Sequence, residues 1–428
     1  MKIKILLILS LCFLTSGCWN YNELDDFAIV TGMGIDKNKD GYKISLVRSN
    51  SQSTQGSSRE GEAQTTVFTG IGDSITKALS EIDTKTPRNL YLGHIAVVVI
   101  DEYVAKDDIN IVLEALTRNP ETAKKYHITV AREKKAEEIL KTLSPLESFP
   151  SQNIANNIAT SSTTQSITTE SFISDFTMSL LRPGVNGVMS SITIEGEAND
   201  IDNQDDLKET EPKAMLKSET IGLFKEYKLV TWTTEKESLG INIVNNKTDR
   251  FYITNKLDDN NIVVLVDNTE CEPKIKIDDG EISVVLKIKT KGAITEVSGS
   301  LDLENPKVID KINEETEKNI KDMVYEGINI AKKYKTDVFG FGNMIYKQNY
   351  KWYNEKTAKK KIYPISYKYT LCRLRTIAMK WYSNMANTVR AQTRTIFNPD
   401  NDIKNVNAIM LLILKVGMWY KQKLSNII

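Results

Sequence analysis

Histidine is nearly missing from this sequence, with two residues, His94 and His127, among 428. His94 falls inside an apolar run and His127 starts another, and no Cys or carboxylate stands at ligand spacing from either, so no metal centre is expected. Nucleophile motifs, a Walker loop and a Rossmann fingerprint are absent as well. The pair Gly32-x-Gly34 lacks a third glycine and no helix follows it, so it does not read as a nucleotide loop. Asp and Glu are abundant, but no pair is singled out. The chain therefore reads as a non-enzyme with no cofactor, and nothing in it directs it to nucleic acid. Cysteine is sparse too. Of four, Cys12 and Cys18 lie near the start, and Cys271 and Cys372 stand about a hundred residues apart without framework spacing, so no structural disulfide is expected. No apolar run reaches the roughly 20 residues of a membrane-spanning helix.

What is present at the start is an export signal. Met1-Lys2-Ile3-Lys4 is a short basic region, Ile5 to Leu14 an apolar one, and Ser16-Gly17 supplies small residues directly before Cys18. This is the pattern of a bacterial lipoprotein: cleavage between Gly17 and Cys18 removes residues 1–17, and acylation (palmitate or a related chain) on Cys18 replaces the signal with a lipid anchor. The position three before the cysteine holds Thr15, with leucine one place earlier at Leu14.

The formal net charge of zero conceals an asymmetry. From Asn343 onward there are 16 Lys/Arg against 3 Asp/Glu, leaving 40 basic and 53 acidic residues before it. With 26 % charged residues and alternating apolar patterns throughout, the body of the chain is globular.

The periodicities then divide the chain. Phe27 to Ile35 and Tyr42 to Val47 read as a hairpin, Thr66 to Gly70 as a strand, and Asp73 or Ser74 as the cap of a helix carrying Ile75, Ala78, Leu79 and Ile82. Tyr91 to Ile100 is unbroken and apolar, a central strand buried on both faces. Helices follow around Val104 and from Asp108 to Thr117, then a strand at His127 to Ala131, a helix near Lys135 to Leu143, partial helix over Ser151 to Ser171, a helix at Phe172 to Leu181 and a strand at Val188 to Ile194. Residues 18–194 thus form an N-terminal α+β block. The acidic stretch 195–213 reads as a linker. Residues 214–345 form a β-rich block with short strands at Thr220 to Phe224, Lys228 to Trp232, Phe251 to Thr254, Ile262 to Val266, Cys271 to Ile277 and Ile282 to Ile288, and with one long helix after Pro306. The fold class is α+β, with mixed sheets and packed helices.

These residues, taken in order, resemble the C-subunit lipoproteins of bacterial spore germinant receptors, the Ger(x)C family. The match runs through Gly17-Cys18-Trp19-Asn20, Gly32-Met33-Gly34-Ile35-Asp36, Leu92-Gly93-His94 with Val97-Val98-Val99-Ile100, and Leu116-Thr117-Arg118-Asn119-Pro120-Glu121. It continues through Pro145-Leu146-Glu147, Gly222-Leu223-Phe224 and Asp337-Val338-Phe339-Gly340-Phe341-Gly342. The resemblance implies three domains, attachment at the outer face of the spore inner membrane, assembly with two integral-membrane receptor subunits, and a response to nutrient germinants. It carries over no catalytic residue. Residues 346–428, a divergent basic tail, depart from the family. Two readings of the tail stay open: a membrane or partner contact through Ala408 to Leu414 with Trp419 and its lysines, or a divergent or frame-changed ending without a selected role. A rival for the whole chain is a lipid-anchored solute-binding protein of an importer, which requires two similar α/β lobes.

Overall fold

A computed structural model describes residues 27–49, 65–123, 125–147, 149–196, 212–278, 281–358 and 367–376. β1 (Phe27–Asn38) and β2 (Gly41–Ser49) form the expected hairpin, with Lys37 opposite Tyr42 and Asn38 opposite Gly41. β3 (Thr65–Gly72) adds antiparallel to β2. α1 (Ile75–Asp83) begins where the Ser74 hydroxyl accepts the Lys77 N–H, and buries Ile75, Ala78 and Ile82. The outer edge of β3 is covered by this helix: Lys85 Nζ donates to Thr69 O at 2.8 Å, and the Glu81 carboxylate accepts the Ile71 N–H. Two polar side chains thus occupy backbone groups that would otherwise invite another strand.

The run expected as one strand from Tyr91 to Ile100 is interrupted. β4 (Asn89–Tyr91) pairs with Phe27–Ile29 of β1, and β5 (Val97–Asp101) pairs with Gly32–Ile35. Six steps of chain from Tyr91 to Val97 face only three of β1, from Ile29 to Gly32, and the excess coils into a 3-10 turn at Leu92–His94. His94 is consequently exposed on a turn and not inside a strand.

β5 is followed by α2 (Glu102–Asp107) and α3 (Asn110–Arg118), then β6 (His127–Ala131), α4 (Ala136–Lys141), α5 (Pro150–Thr164), α6 (Ile173–Leu181), β7 (Val188–Gly196), β8 (Ala214–Lys225) and β9 (Lys228–Trp232). The sheet order is β3-β2-β1-β5-β6-β7-β8-β9, with β4 beside β1; β1, β5, β6 and β7 run parallel and the outer strands antiparallel. β5 explains its own composition. Val98 and Ile100 enter one core with Met33, Ile35, Leu46, Ile82 and Leu116, while Val97 and Val99 enter the other with Ile139, Leu140, Ile154 and Ile192. A strand covered by helices on both faces has no polar side, hence five consecutive buried residues.

The acidic segment expected to link two blocks instead joins neighbouring strands of one sheet, because Glu195 and Gly196 pair with Met215 and Ala214. After α7 (Glu235–Val244), opened by a Thr234/Glu237 capping box, come β10 (Arg250–Leu257), β11 (Asn260–Asp278), β12 (Glu281–Val297), α8 (Pro306–Tyr334), α9 (Phe341–Gln348), α10 (Tyr350–Ala358) and β13 (Tyr367–Thr376). The short strands read at Ile262 to Val266 and Cys271 to Ile277 are one strand of 19 residues, and β10 to β13 pair in sequence order. Cys271 on β11 is a free, buried thiol that burial pushes up to about 12.

The described residues group into two compact units. The first takes the chain up to Phe251 with Asp267–Lys289 and Lys318–Arg375; the second takes Tyr252–Val266 and Thr290–Glu317. Within the second, Ile253, Ile262, Val264, Val266 and Ile312 are buried, and Asn255 donates through its amide to the Thr316 hydroxyl at 2.8 Å.

Candidate functional site

Gly17 and Cys18, the residues that the sequence nominates for cleavage and acylation, lie outside the described residues. Among the described residues, no three His, Cys, Asp or Glu side chains are placed to hold a metal ion. The two histidines have separate partners. His94 meets the Tyr91 ring edge-on at 5.5 Å, and His127, at the start of β6, sits 3.1 Å from a Glu170 oxygen and against Phe172.

The Gly32-Met33-Gly34-Ile35-Asp36 motif is built into the seam between β1 and its helices. Met33 and Ile35 point into one core. On the opposite face the glycines let α4 and α5 approach: a Cβ at Gly34 would fall 2.8 Å from Leu140 Cδ1, and one at Gly32 would fall 2.9 Å from Ser151 Cβ. Asp36 ends the motif as the cap of α4. Its carboxylate, 3 % exposed, accepts the Ala136 N–H at 2.8 Å and the Glu137 N–H at 3.0 Å. Beside it Asp101, at the end of β5, accepts the Lys37 and Tyr103 N–H groups at 3.1 and 3.0 Å and holds Lys135 Nζ at 2.6 Å. Burial works against the Lys135 ammonium, but the Asp101 carboxylate outweighs it and raises that lysine above its ordinary range.

Burial raises the Asp36 carboxyl from 3.8 to about 6; the two N–H donors pull the other way without overcoming it, and Asp101 adds to the rise. A carboxyl raised by folding favours the folded state when protonated. Its contribution is complete below the unfolded value and is lost as pH rises through about 6. The Asp36→Asn variant cannot titrate there, so the stability difference between wild type and variant should change by on the order of 2 kcal/mol between about pH 4.5 and pH 7. Urea midpoints of both proteins at the two pH values measure it, and a difference independent of pH would refute the assignment.

A second carboxylate organises the Asp337-Val338-Phe339-Gly340-Phe341-Gly342 motif. Asp337 Oδ1 accepts the Phe341 N–H at 3.1 Å and Oδ2 the Gly342 N–H at 2.6 Å, closing the first turn of α9. The Asp337 backbone is paired with Asn186: its N–H donates to Asn186 Oδ1 at 2.7 Å, and its carbonyl accepts the Asn186 N–H at 2.8 Å. Asn343 adds bonds to the Gly184 and Pro183 carbonyls at 3.2 and 3.0 Å, and Asn245 donates to Val338 O at 3.1 Å. The chain before β7 and the chain after α8 are therefore clamped together within the first unit. Sequence reading marked both motifs and could not assign their roles, since the partners lie 100 and 151 residues away.

Among the described residues, three concavities accompany these clamps. The largest, about 800 Å³, is a polar groove between α5 and β8 in which Asn157 donates to Leu216 O at 3.1 Å and accepts from the Ser218 hydroxyl at 2.7 Å. An apolar one of about 320 Å³ lies among Met33, Leu79, Leu92 and the Leu116–Asn119 turn. The third, about 260 Å³, is lined by Glu170, Asp175, Phe176 and Lys247, where burial lowers the lysine below its usual value and the two carboxylates oppose that. The conspicuous carboxylates cap helices and hold loops.

Residues 20–194 match the spore germination protein N-terminal domain, and residues 219–369 match the spore germination B3/GerAC-like C-terminal family. The chain is 28 % identical over 357 residues to spore germination protein KC of Bacillus subtilis (strain 168), covering 81 % of this chain and 87 % of that one. It is 22 % identical over 374 residues to spore germination protein GerQC of Bacillus cereus, covering 83 % and 93 %. The crystal structure of the GerBC protein superposes with a TM-score of 0.50 at 16 % identity over 81 % of this chain and 97 % of that one, a likeness of fold.

Proposed function

Because this chain belongs to the Ger(x)C, or GerAC-like, family of spore germination proteins, we propose that it is the lipid-anchored subunit of a nutrient-germinant receptor. In this reading acyl chains on Cys18 hold it at the outer face of the spore inner membrane, where it assembles with two integral-membrane subunits. One observation carries the proposal: the two family domains, in order, follow directly on a signal whose small residues run into Cys18. Among the described residues no helix is long and apolar enough to cross a membrane, so attachment in this reading comes from the lipid and the partners.

The role is one of scaffolding. Asp36, Asp101 and Asp337 spend their oxygens on backbone N–H groups and one lysine, which suits a rigid partner surface better than proton transfer. The importer alternative needs two similar lobes. The two units here are unlike: one is built on a long mixed sheet with helices on both faces, the other on segments of three strands and part of a helix.

A Cys18→Ala substitution tests the proposal. The protein should leave the spore inner-membrane fraction, and nutrient germination through its receptor should be lost while germination by a non-nutrient route persists. Normal nutrient germination with the protein displaced from the membrane would overturn anchoring as a requirement, and failure of the protein to co-purify with integral-membrane partners would overturn the receptor assignment.

A further inference from the structure

The start of β1 is the described part of the sheet nearest Cys18 in sequence. Register places its side chains. Phe27 is opposite Asn89 and Ile29 opposite Tyr91 on the parallel β4, while Val30 is opposite Arg48 on β2. Alternation along the strands then puts Phe27 and Tyr91 on one face, with ring centroids 5.6 Å apart, and Tyr91 39 % exposed. The same alternation puts Arg48 and Arg88 on the other face, that of Ala28, Val30 and Leu90.

The two arginines are half-buried, and among the described residues neither guanidinium has an ion pair; Arg48 Nε is buried without a hydrogen-bond partner. Register sets the two arginines on either side of β1 on that shared face; burial lowers Arg48, and the like charge of Arg88 lowers it further. An isolated fold gains nothing from that arrangement. An anion received between the two guanidiniums would relieve it, and guanidinium is the side chain best matched to phosphate oxygens.

Eight residues lie between Cys18 and Phe27, nine steps of chain with a reach of about 30 Å when fully extended. The rim is thus within a linker's length of any acyl chain on Cys18. Tyrosine beside phenylalanine suits a bilayer interface, where one end of the ring is apolar and the other wet. The linker itself carries Glu23, Asp25 and Asp26, which oppose an anionic surface, so the arginines are the groups able to offset them.

We propose that the rim formed by Phe27, Tyr91, Arg48 and Arg88 is a membrane-contact edge that seats the phosphates of anionic phospholipids and sets the domain end-on to the bilayer. The proposal rests on acylation of Cys18 as its source of proximity.

The test places a bimane fluorophore at Asn89→Cys on the rim, or at Asp40→Cys on the β1–β2 turn at the far end of the hairpin, in a Cys372→Ser background; both positions are exposed. The full acylated chain is reconstituted in phosphatidylglycerol/phosphatidylethanolamine vesicles containing doxyl lipid. Quenching should be several-fold greater at residue 89 than at residue 40, and the double variant Arg48→Gln/Arg88→Gln should lose most of it. Phosphatidylcholine vesicles should reproduce that loss with the arginines intact. Equal quenching at the two positions, or greater quenching at 40, overturns the membrane edge. Undiminished quenching in the double variant overturns the phosphate role. Mass analysis of Cys18 on the same sample separates the two hypotheses: an unmodified cysteine refutes the anchor. In that event the Cys18→Ala chain mixed with the same vesicles must still favour residue 89, at lower occupancy, or the edge fails with it.

Discussion

Replacing Gly240 with valine should unfold the first unit, because α7 and α8 cross there backbone against backbone. A Cβ at Gly240 would fall 1.9 Å from Met323 O and 2.6 Å from its carbonyl carbon. From the other side, a Cβ at Gly327 would fall 2.8 Å from Ile241 N and 3.0 Å from Gly240 C. Neither neighbour is a side-chain tip that can swing away. Relief requires the helices to separate where Ile241 is buried in one cluster with Ile330 and Ala331, so both overpacking and lost burial contribute. We expect a loss of more than about 3 kcal/mol for Gly240→Val, enough to leave a marginally stable domain largely unfolded. Gly327→Ala should cost somewhat less, since the nearest atoms are further off. Soluble yield and urea midpoints report both, and a Gly240→Val protein with a near-native midpoint would show that the helices do not meet at their backbones.

Asp337→Ala should have the next largest effect. The substitution leaves the Phe341 and Gly342 N–H groups without the carboxylate that accepts them, in a place where Asp337 is 7 % and Phe341 1 % exposed. Each buried donor stranded this way costs about 1–3 kcal/mol, so a total of roughly 3–5 kcal/mol is expected. Asp337→Asn retains one acceptor oxygen and the shape of the side chain, and should cost about half as much. The Asn186 bonds to the Asp337 backbone persist in both variants, which separates the capping role from the clamp. Because a loss of this size lowers the folded population, we expect less protein in the spore and a weaker nutrient response from Asp337→Ala, with Asp337→Asn between it and wild type. Identical urea midpoints for the two variants would mean that the carboxylate does not cap α9.

Much of the secondary structure was legible because it rests on local rules. The α8 stripe runs from Pro306 onward, Ser74 is a cap residue with its helix directly behind it, and the β1–β2 hairpin turns at Lys39-Asp40, within the polar stretch before Gly41. The break at Leu92–His94 was not legible. Apolar periodicity continues through it, and only the pairing of its two ends with one shorter stretch of β1 shows that three residues are in excess. The acidic segment 195–213 misled for a related reason. Its composition describes a solvated connection and says nothing of where the ends lie, and Gly196 and Ala214 turn out to be cross-strand partners.

The candidate site divides in the same way. The sequence by itself determined the α+β class and the family, since both depend on residue types at short, ordered spacings. It also picked out Gly32 to Asp36 and Asp337 to Gly342 as motifs. Only the tertiary structure decided what they do: Asp36 caps a helix 100 residues further on, Asp337 binds a loop 151 residues earlier, and Arg48 comes to share a face of the sheet with Arg88 across β1. A side chain's role follows from the groups that surround it after folding, and the contacts that surround these residues are set by how nine strands are ordered in one sheet, which no local spacing encodes.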